Sequence, residues 1–189
     1  MQRPTLYQFF HHQLDRAFAT RGLREPAEVD YVSDMLTRFA ETRALYAVRD
    51  NEDRALEHLV DLLDTAREAE HERGDRARGR SVMRHLAEYA LFMSGLFRGR
   101  LSARGQLAYY ESQGRSAYWA CADYERHPPR QHLYRRLHRD FSPISEILDH
   151  LRRVQWPLSA KPLGEMALEI DKPQTHSMGE LLASSLWRR

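Results

Sequence analysis

The chain of 189 residues contains one cysteine, two lysines and no long apolar run. A lone cysteine, Cys121, cannot form an internal disulfide, so we expect a protein that works in the cytoplasm. The longest apolar stretches are far shorter than the roughly 20 residues that cross a bilayer, which predicts no membrane partner. The opening MQRPTLYQFFHHQLDR has no apolar core and no cleavage site of small residues, so we expect no signal peptide.

The sequence also lacks the short motifs of common enzyme classes. No GxxxxGK[ST], GxGxxG, GxSxG or HExxH pattern occurs. Phosphate-loop, dinucleotide, serine-hydrolase and zinc-protease chemistries therefore lack their defining residues. We predict no catalytic residue and expect a non-enzymatic protein.

Apolar residues recur at helical spacing over most of the first 155 positions, which predicts an all-α fold of six or seven helices. Residues 1–156 are predicted to form a single helical bundle. Residues 157–189 contain three prolines and two glycines without helical periodicity, and are predicted to form a C-terminal arm, partly extended. The arm docks either on its own bundle or on another chain.

Individual helix ends follow from glycine, proline and capping residues. Gly22 is expected to end the first helix, and Pro26 to begin the second. The stretch 68–80, EAEHERGDRARGR, is charged and contains glycines, and is predicted to be a loop. A further helix is predicted over about 102–125, and Ser142 is the expected N-cap of the last helix.

The net charge of +2 conceals an uneven distribution along the chain. Residues 1–75 carry a net charge of −6, whereas residues 76–139 carry 13 arginines against four acids. Blocks of opposite sign in one small domain are expected to pair with each other. Alternatively, the arginine-rich segment binds an anion, because guanidinium groups pair well with carboxylate and phosphate. A nucleic acid is a second alternative partner, supported only by this excess of arginine.

The segment 91–124 differs in chemistry from the rest of the chain. Ser94 and Gly95 lie inside a predicted helix, where glycine costs about 1 kcal/mol relative to alanine. Either a neighbouring element approaches closely at this point or the helix breaks there. Tyr110, Gly114 and Tyr118 share one helix face, which predicts a notch where another helix crosses.

Residues 91–118 resemble a family of uncharacterised bacterial helical proteins. The matching residues are Leu91, Phe92, Ser94, Gly95, Phe97, Arg104, Tyr109, Tyr110, Gly114, Ala117 and Tyr118. The resemblance implies a small cytosolic helical protein and no known reaction.

The same segment is our predicted binding site, for an anionic ligand or for a protein partner that includes a second copy of the chain. The predicted ligand-binding residues are Ser94, Arg98, Arg100, Arg104, Tyr109, Tyr110 and Tyr118. We expect the three arginines to be displayed at the surface, because they follow the Ser94 and Gly95 positions. Helix packing without a ligand is the favoured role of these tyrosines and glycines, and the ligand pocket is the functional alternative.

Ten histidines make a helical metal or haem protein the alternative function. Only Glu68 and His71 match the Glu-x-x-His pattern of di-iron bundles. His12, His58 and His85 precede an acid by three residues, which is the reversed order. No CxxCH occurs, and surface pairs explain these spacings equally well, so we predict no metal ligand and no cofactor.

Overall fold

The computed structural model describes residues 5–40, 59, 65 and 76–154, and this part of the chain is all-α, as predicted. It contains seven helices and no strand over those ranges. The helices are α1 Leu6–Thr20, α2 Pro26–Phe39, α3 Arg76–Leu96, α4 Arg98–Ala103, α5 Leu107–Tyr124, α6 Pro128–Arg139 and α7 Phe141–Val154. The predicted arm at 157–189 lies outside the described residues.

Helix α3 forms the centre of the bundle. Every residue from His85 to Phe97 is buried, because the sequence HLAEYALFMSGLF is apolar on nearly all sides of the helix. Helices α5 and α7 pack against α3, α6 packs against α5, and α1 pairs with α2. Within the described ranges, even this buried helix and its neighbours are too short or too polar to cross a membrane.

Two glycines lie where helices cross, and both contacts agree with the close approach predicted from the sequence. A Cβ at Gly95 of α3 would lie 2.6 Å from the Cβ of Leu148 on α7. A Cβ at Gly114 of α5 would lie 2.5 Å from the ring of Phe141 and 2.9 Å from the Cβ of Ala90. Helix α3 includes Gly95 but ends one residue later, at Leu96, and Phe97 separates it from α4, so the helix breaks just after Gly95 and not at it.

Two other glycines end helices with a left-handed backbone. Gly22 has φ 76° after α1, as predicted, and Gly105 has φ 67° after α4. After each glycine a backbone N–H donates back to the last turn: Leu23 to Phe18 at 2.9 Å, and Gln106 to Leu101 at 2.8 Å. The prediction of one helix over 102–125 is therefore wrong, because Gly105 separates α4 from α5.

Two further helix ends also differ from the predictions. Helix α3 begins at Arg76, so the last five residues of the predicted loop 68–80 are helical. Ser142 lies inside the first turn of α7, and its hydroxyl donates to Glu111 Oε2 at 3.1 Å. A tertiary contact to α5 therefore replaces the local cap that the sequence predicts.

Candidate functional site

Three of the seven predicted ligand-binding residues point into the protein. Ser94 is fully buried, and its hydroxyl donates to the Leu91 carbonyl oxygen at 3.2 Å. Tyr110 and Tyr118 are buried on the face of α5 that carries Gly114. These positions agree with the packing role that the sequence favours for this segment.

The three predicted arginines have unequal surroundings. Arg98 Nη1 donates to Glu111 Oε1 at 2.8 Å and to Ser145 Oγ at 2.9 Å. The expected display of Arg98 is therefore wrong, because α5 and α7 provide partners for its guanidinium. Arg100 lies 6.0 Å from the centre of the Phe97 ring, and Arg104 follows α4 in a half-buried position.

Tyr109 is the most exposed of the predicted residues and packs edge-on against the neighbouring Tyr110. Burial raises the pKa of the Tyr110 phenol to about 12. Since Ser94 faces the core and Tyr109 faces solvent, the structure does not bring all seven residues to one surface. Ligand binding by the members of this set stays a prediction.

A buried carboxylate that the sequence analysis missed lies between α2 and α3. Glu88 is 1% exposed, accepts from the Tyr31 hydroxyl at 2.7 Å, and accepts from both Arg38 Nη atoms at 2.9 and 3.2 Å. Burial alone would lower the pKa of Arg38, but its hydrogen bonds to Glu88 and Asp34 outweigh that effect and raise it. Both carboxylate oxygens of Glu88 therefore accept hydrogen bonds from side chains of α2.

Three tyrosines connect the buried carboxylate of Glu88 to a surface cleft. The ring centres of Tyr31, Tyr118 and Tyr134 lie 6.1 to 6.2 Å from one another. Burial raises the pKa of both Tyr31 and Tyr118 well above 10, so their hydroxyl groups stay protonated at neutral pH. Tyr134 is the member of the trio that reaches a surface cleft.

That cleft lies between α3, α5 and α6 and has a volume of about 340 Å³. Its lining residues are Arg80, Ser81, Arg84, Cys121, Glu125, Arg130 and Tyr134. Cys121 and Tyr134 are buried and form its floor, whereas the three arginines are exposed. We call this feature the arginine cleft.

The charge of the arginine cleft is not neutralised by its surroundings. Arg80 and Arg84 are four residues apart on one face of α3, where like charges repel. Neither forms an ion pair in the part of the chain that the structure describes. Glu88 would be the natural partner one turn beyond Arg84, but Arg38 and Tyr31 occupy its oxygen atoms.

The other polar groups of the cleft have well-defined protonation states. Hydrogen bonds from the backbone N–H groups of His127 and Arg126 lower the pKa of Glu125, whose Oε2 lies 3.7 Å from Arg130 Nη1. Burial, followed by the charge of Glu88, raises the pKa of the Cys121 thiol to about 12. The cleft floor is therefore uncharged at neutral pH, and Cys121 lies there as a small buried residue.

A second cleft, of about 360 Å³, lies between α1 and α7. Its lining residues are Gln13, Arg16, Ala17, Thr20, Arg21, Ile147, His150 and Leu151. Arg21 Nη1 lies 3.5 Å from Glu146 Oε2. Of the two arginines that line this second cleft, only Arg16 has no carboxylate partner among the described residues. The arginine cleft is therefore the stronger candidate for an anion.

The described ranges also bear on the predicted metal alternative. Within them, no three side chains of histidine, cysteine, aspartate or glutamate come together as metal ligands. His85 packs between Phe39 and Tyr89, so it does not form a metal site with the engaged Glu88. Glu68, His71 and His58 lie outside the described residues.

Comparison with models of known families, with curated proteins and with solved structures finds no match to this chain. The resemblance of residues 91–118 to bacterial helical proteins therefore remains an expectation.

Sequence patterns contained a signal for the cleft that the sequence analysis did not use. Arg80 and Arg84 have the i,i+4 spacing of one helix face, and Arg130 directly follows the Pro128-Pro129 helix start. The signal was hidden because residues 68–80 were predicted to be a loop, in which i,i+4 spacing has no meaning.

Proposed function

We propose that this protein is a helical binding protein whose ligand is anionic and occupies the arginine cleft. The ligand class, an anion, is the one predicted from the sequence, but the proposed site is the arginine cleft and not the predicted set of residues between Ser94 and Tyr118. Ser94 and Tyr118 of the predicted segment are buried, whereas the cleft lies at the other end of α3.

One observation carries the proposal: two exposed arginines repel each other across one turn of α3 without an acidic partner in the described ranges. Arg130 adds a third guanidinium from α6. An anion in the cleft would relieve this repulsion and accept several charge-assisted hydrogen bonds. A concave site of this volume falls within the usual range for small ligands, roughly 300 to 1,000 Å³.

Titration calorimetry of the full chain with citrate and with sulfate tests the proposal. We expect Arg84→Gln and Arg130→Gln each to weaken binding at least about fivefold, because each removes a charge-assisted contact. Arg135→Gln is the matched control: it removes an exposed arginine of α6 that does not line the cleft. Equal affinities in all four proteins would contradict the proposal.

The other predicted partners stay predictions. A protein partner, a second copy of the chain, a nucleic acid and a metal or haem are each compatible with the sequence. No contact among the described residues favours one of them over a small anion.

A further inference from the structure

We infer that the arginine cleft takes a dianionic phosphoryl group, either as inorganic phosphate or as a small phosphate monoester. The inference rests on the proposed function and adds the chemical class of the anion. It follows from the net charge of the cleft, from the directions of its donors and from its volume.

The net charge of the cleft matches a dianion. Three arginines against one carboxylate, Glu125, leave an excess of two positive charges among the lining residues. Glu125 stays charged because it accepts hydrogen bonds from the backbone N–H groups of Arg126 and His127 at 2.9 and 3.0 Å. Glu88 does not reduce this excess, because Arg38 compensates its charge from the other side.

The donors approach from more than one direction, which favours a tetrahedral group. Arg80 and Arg84 belong to α3, whereas Arg130 belongs to the first turn of α6, which forms a different wall of the cleft. A phosphoryl group presents three terminal oxygens in different directions and so accepts from guanidinium groups on both walls. A single carboxylate is planar and is satisfied by one bidentate arginine.

The cleft also has room for more than the anion. Its volume of about 340 Å³ exceeds the size of a phosphoryl group, and Ser81 adds a neutral hydroxyl at the wall. Tyr134 and the protonated thiol of Cys121 form an uncharged floor that does not repel a dianion. A compact organic group can therefore lie beside the phosphoryl group.

Calorimetry at about pH 8 and about pH 5, with phenyl phosphate, inorganic phosphate and sulfate as probes, tests the inference. The second pKa of a phosphoryl group is about 6, so both phosphates lose one charge at the lower pH. We expect their affinities to fall at least about fivefold from pH 8 to pH 5. Sulfate stays dianionic and should change less than about twofold, so it reports any change in the protein itself.

The same titrations with Arg84→Gln and Arg130→Gln test whether the anion binds in the arginine cleft. Each variant should weaken phosphate binding at least about fivefold, whereas Arg135→Gln should not change it. Melting curves establish that the variants are folded. Phenyl phosphate bound as tightly as phosphate would indicate a monoester ligand, and phosphate bound without phenyl phosphate would indicate the free ion. Both results support the inference.

Two results would overturn it, and they separate it from the proposed function. Citrate or sulfate bound through Arg84 and Arg130, with phosphate much weaker or independent of pH, would refute the phosphoryl class and leave the anion site intact. Affinities that do not respond to Arg84→Gln or Arg130→Gln for any of the anions would refute both.

Discussion

Two glutamates of this protein are equally buried and have opposite surroundings. Glu88 on α3 and Glu28 on α2 are each 1% exposed. Glu88 accepts hydrogen bonds from Arg38 and Tyr31. Neither oxygen of Glu28 has a hydrogen-bond partner among the described residues. Equal burial therefore does not imply equal hydrogen bonding.

The environment of Glu28 favours its neutral form. Burial and, after it, the neighbouring acid Asp140 raise its pKa to about 7, although the charges of Arg136 and Arg139 oppose the shift. Arg139 and Arg136 are themselves paired, with Asp140 and with Glu25. The comparison shows that partners on another helix, rather than depth in the core, distinguish the two buried carboxylates.

The largest expected effect comes from removing the partner of Glu88. Arg38→Met should lower the free energy of unfolding by about 2 to 4 kcal/mol at pH 8, because it leaves a buried carboxylate without its counter-charge. The partial exposure of the guanidinium keeps the loss below that of a fully buried pair. Urea unfolding gives the value. Adding Glu88→Gln to Arg38→Met should recover part of the loss, and no recovery would contradict a role for charge.

The next largest effect is expected at Glu28, where the substitution should raise the free energy of unfolding instead of lowering it. Its folded pKa lies above the ordinary value of 4.5, so the folded protein holds an extra proton between about pH 4.5 and 7, and stability is lost as the pH rises through this window. Glu28→Gln mimics the protonated acid. The variant should match the wild type near pH 4.5 and exceed it by about 1 to 3 kcal/mol at pH 8. Parallel stability curves of the two proteins from pH 4.5 to 8 would show that Glu28 ionises normally.

A smaller loss is expected from the second donor to Glu88. Tyr31→Phe removes a 2.7 Å hydrogen bond to a buried carboxylate and should cost about 1 to 2 kcal/mol. Tyr7→Phe is the matched control, because its hydroxyl donates to the exposed Asp30 at 3.3 Å. Thermal unfolding should place Tyr7→Phe within about 0.5 kcal/mol of the wild type. Equal losses of stability in both variants would contradict the expectation that a hydrogen bond to a buried carboxylate contributes more than one to an exposed carboxylate.

The smallest effect should come from the exposed carboxylate that also contacts Arg38. Asp34 lies one turn before Arg38 on α2 and accepts from its Nε at 2.9 Å at the surface. Asp34→Asn should cost less than about 1 kcal/mol, the usual limit for an exposed ion pair, and less in high salt. A loss as large as that of Arg38→Met would mean that Asp34 holds the guanidinium in place for Glu88.

Much of the fold could be predicted from periodicity and helix-end residues. The apolar spacing predicted the helices, Gly22 and Pro26 marked the first connection, and Gly114 marked a helix crossing. The prediction failed at Gly105, where a helix end looks like one more residue of a helical pattern. It also failed at Arg76, because a charged first turn without apolar period resembles a loop.

The candidate site was less predictable than the fold. The arginine-rich middle of the chain was the predicted location of an anion site, and the residues selected there included Arg98 but not Arg84. Local sequence does not show that Glu111 and Ser145 come from α5 and α7 to occupy Arg98. Nor does it show that Arg38 engages Glu88 and leaves Arg84 without that partner.

By itself the sequence determined the all-α class, the buried character of α3 and the excess of arginine at 76–139, because these depend on composition and on local spacing. Only the tertiary structure decided which charges are paired. An ion pair needs two groups within about 4 Å, and the partner of a buried charge can come from a distant part of the chain: Arg38 and Glu88 are 50 residues apart. Helix packing therefore separates the buried, paired Glu88 from the buried, unpaired Glu28, and it leaves Arg80, Arg84 and Arg130 around one cleft.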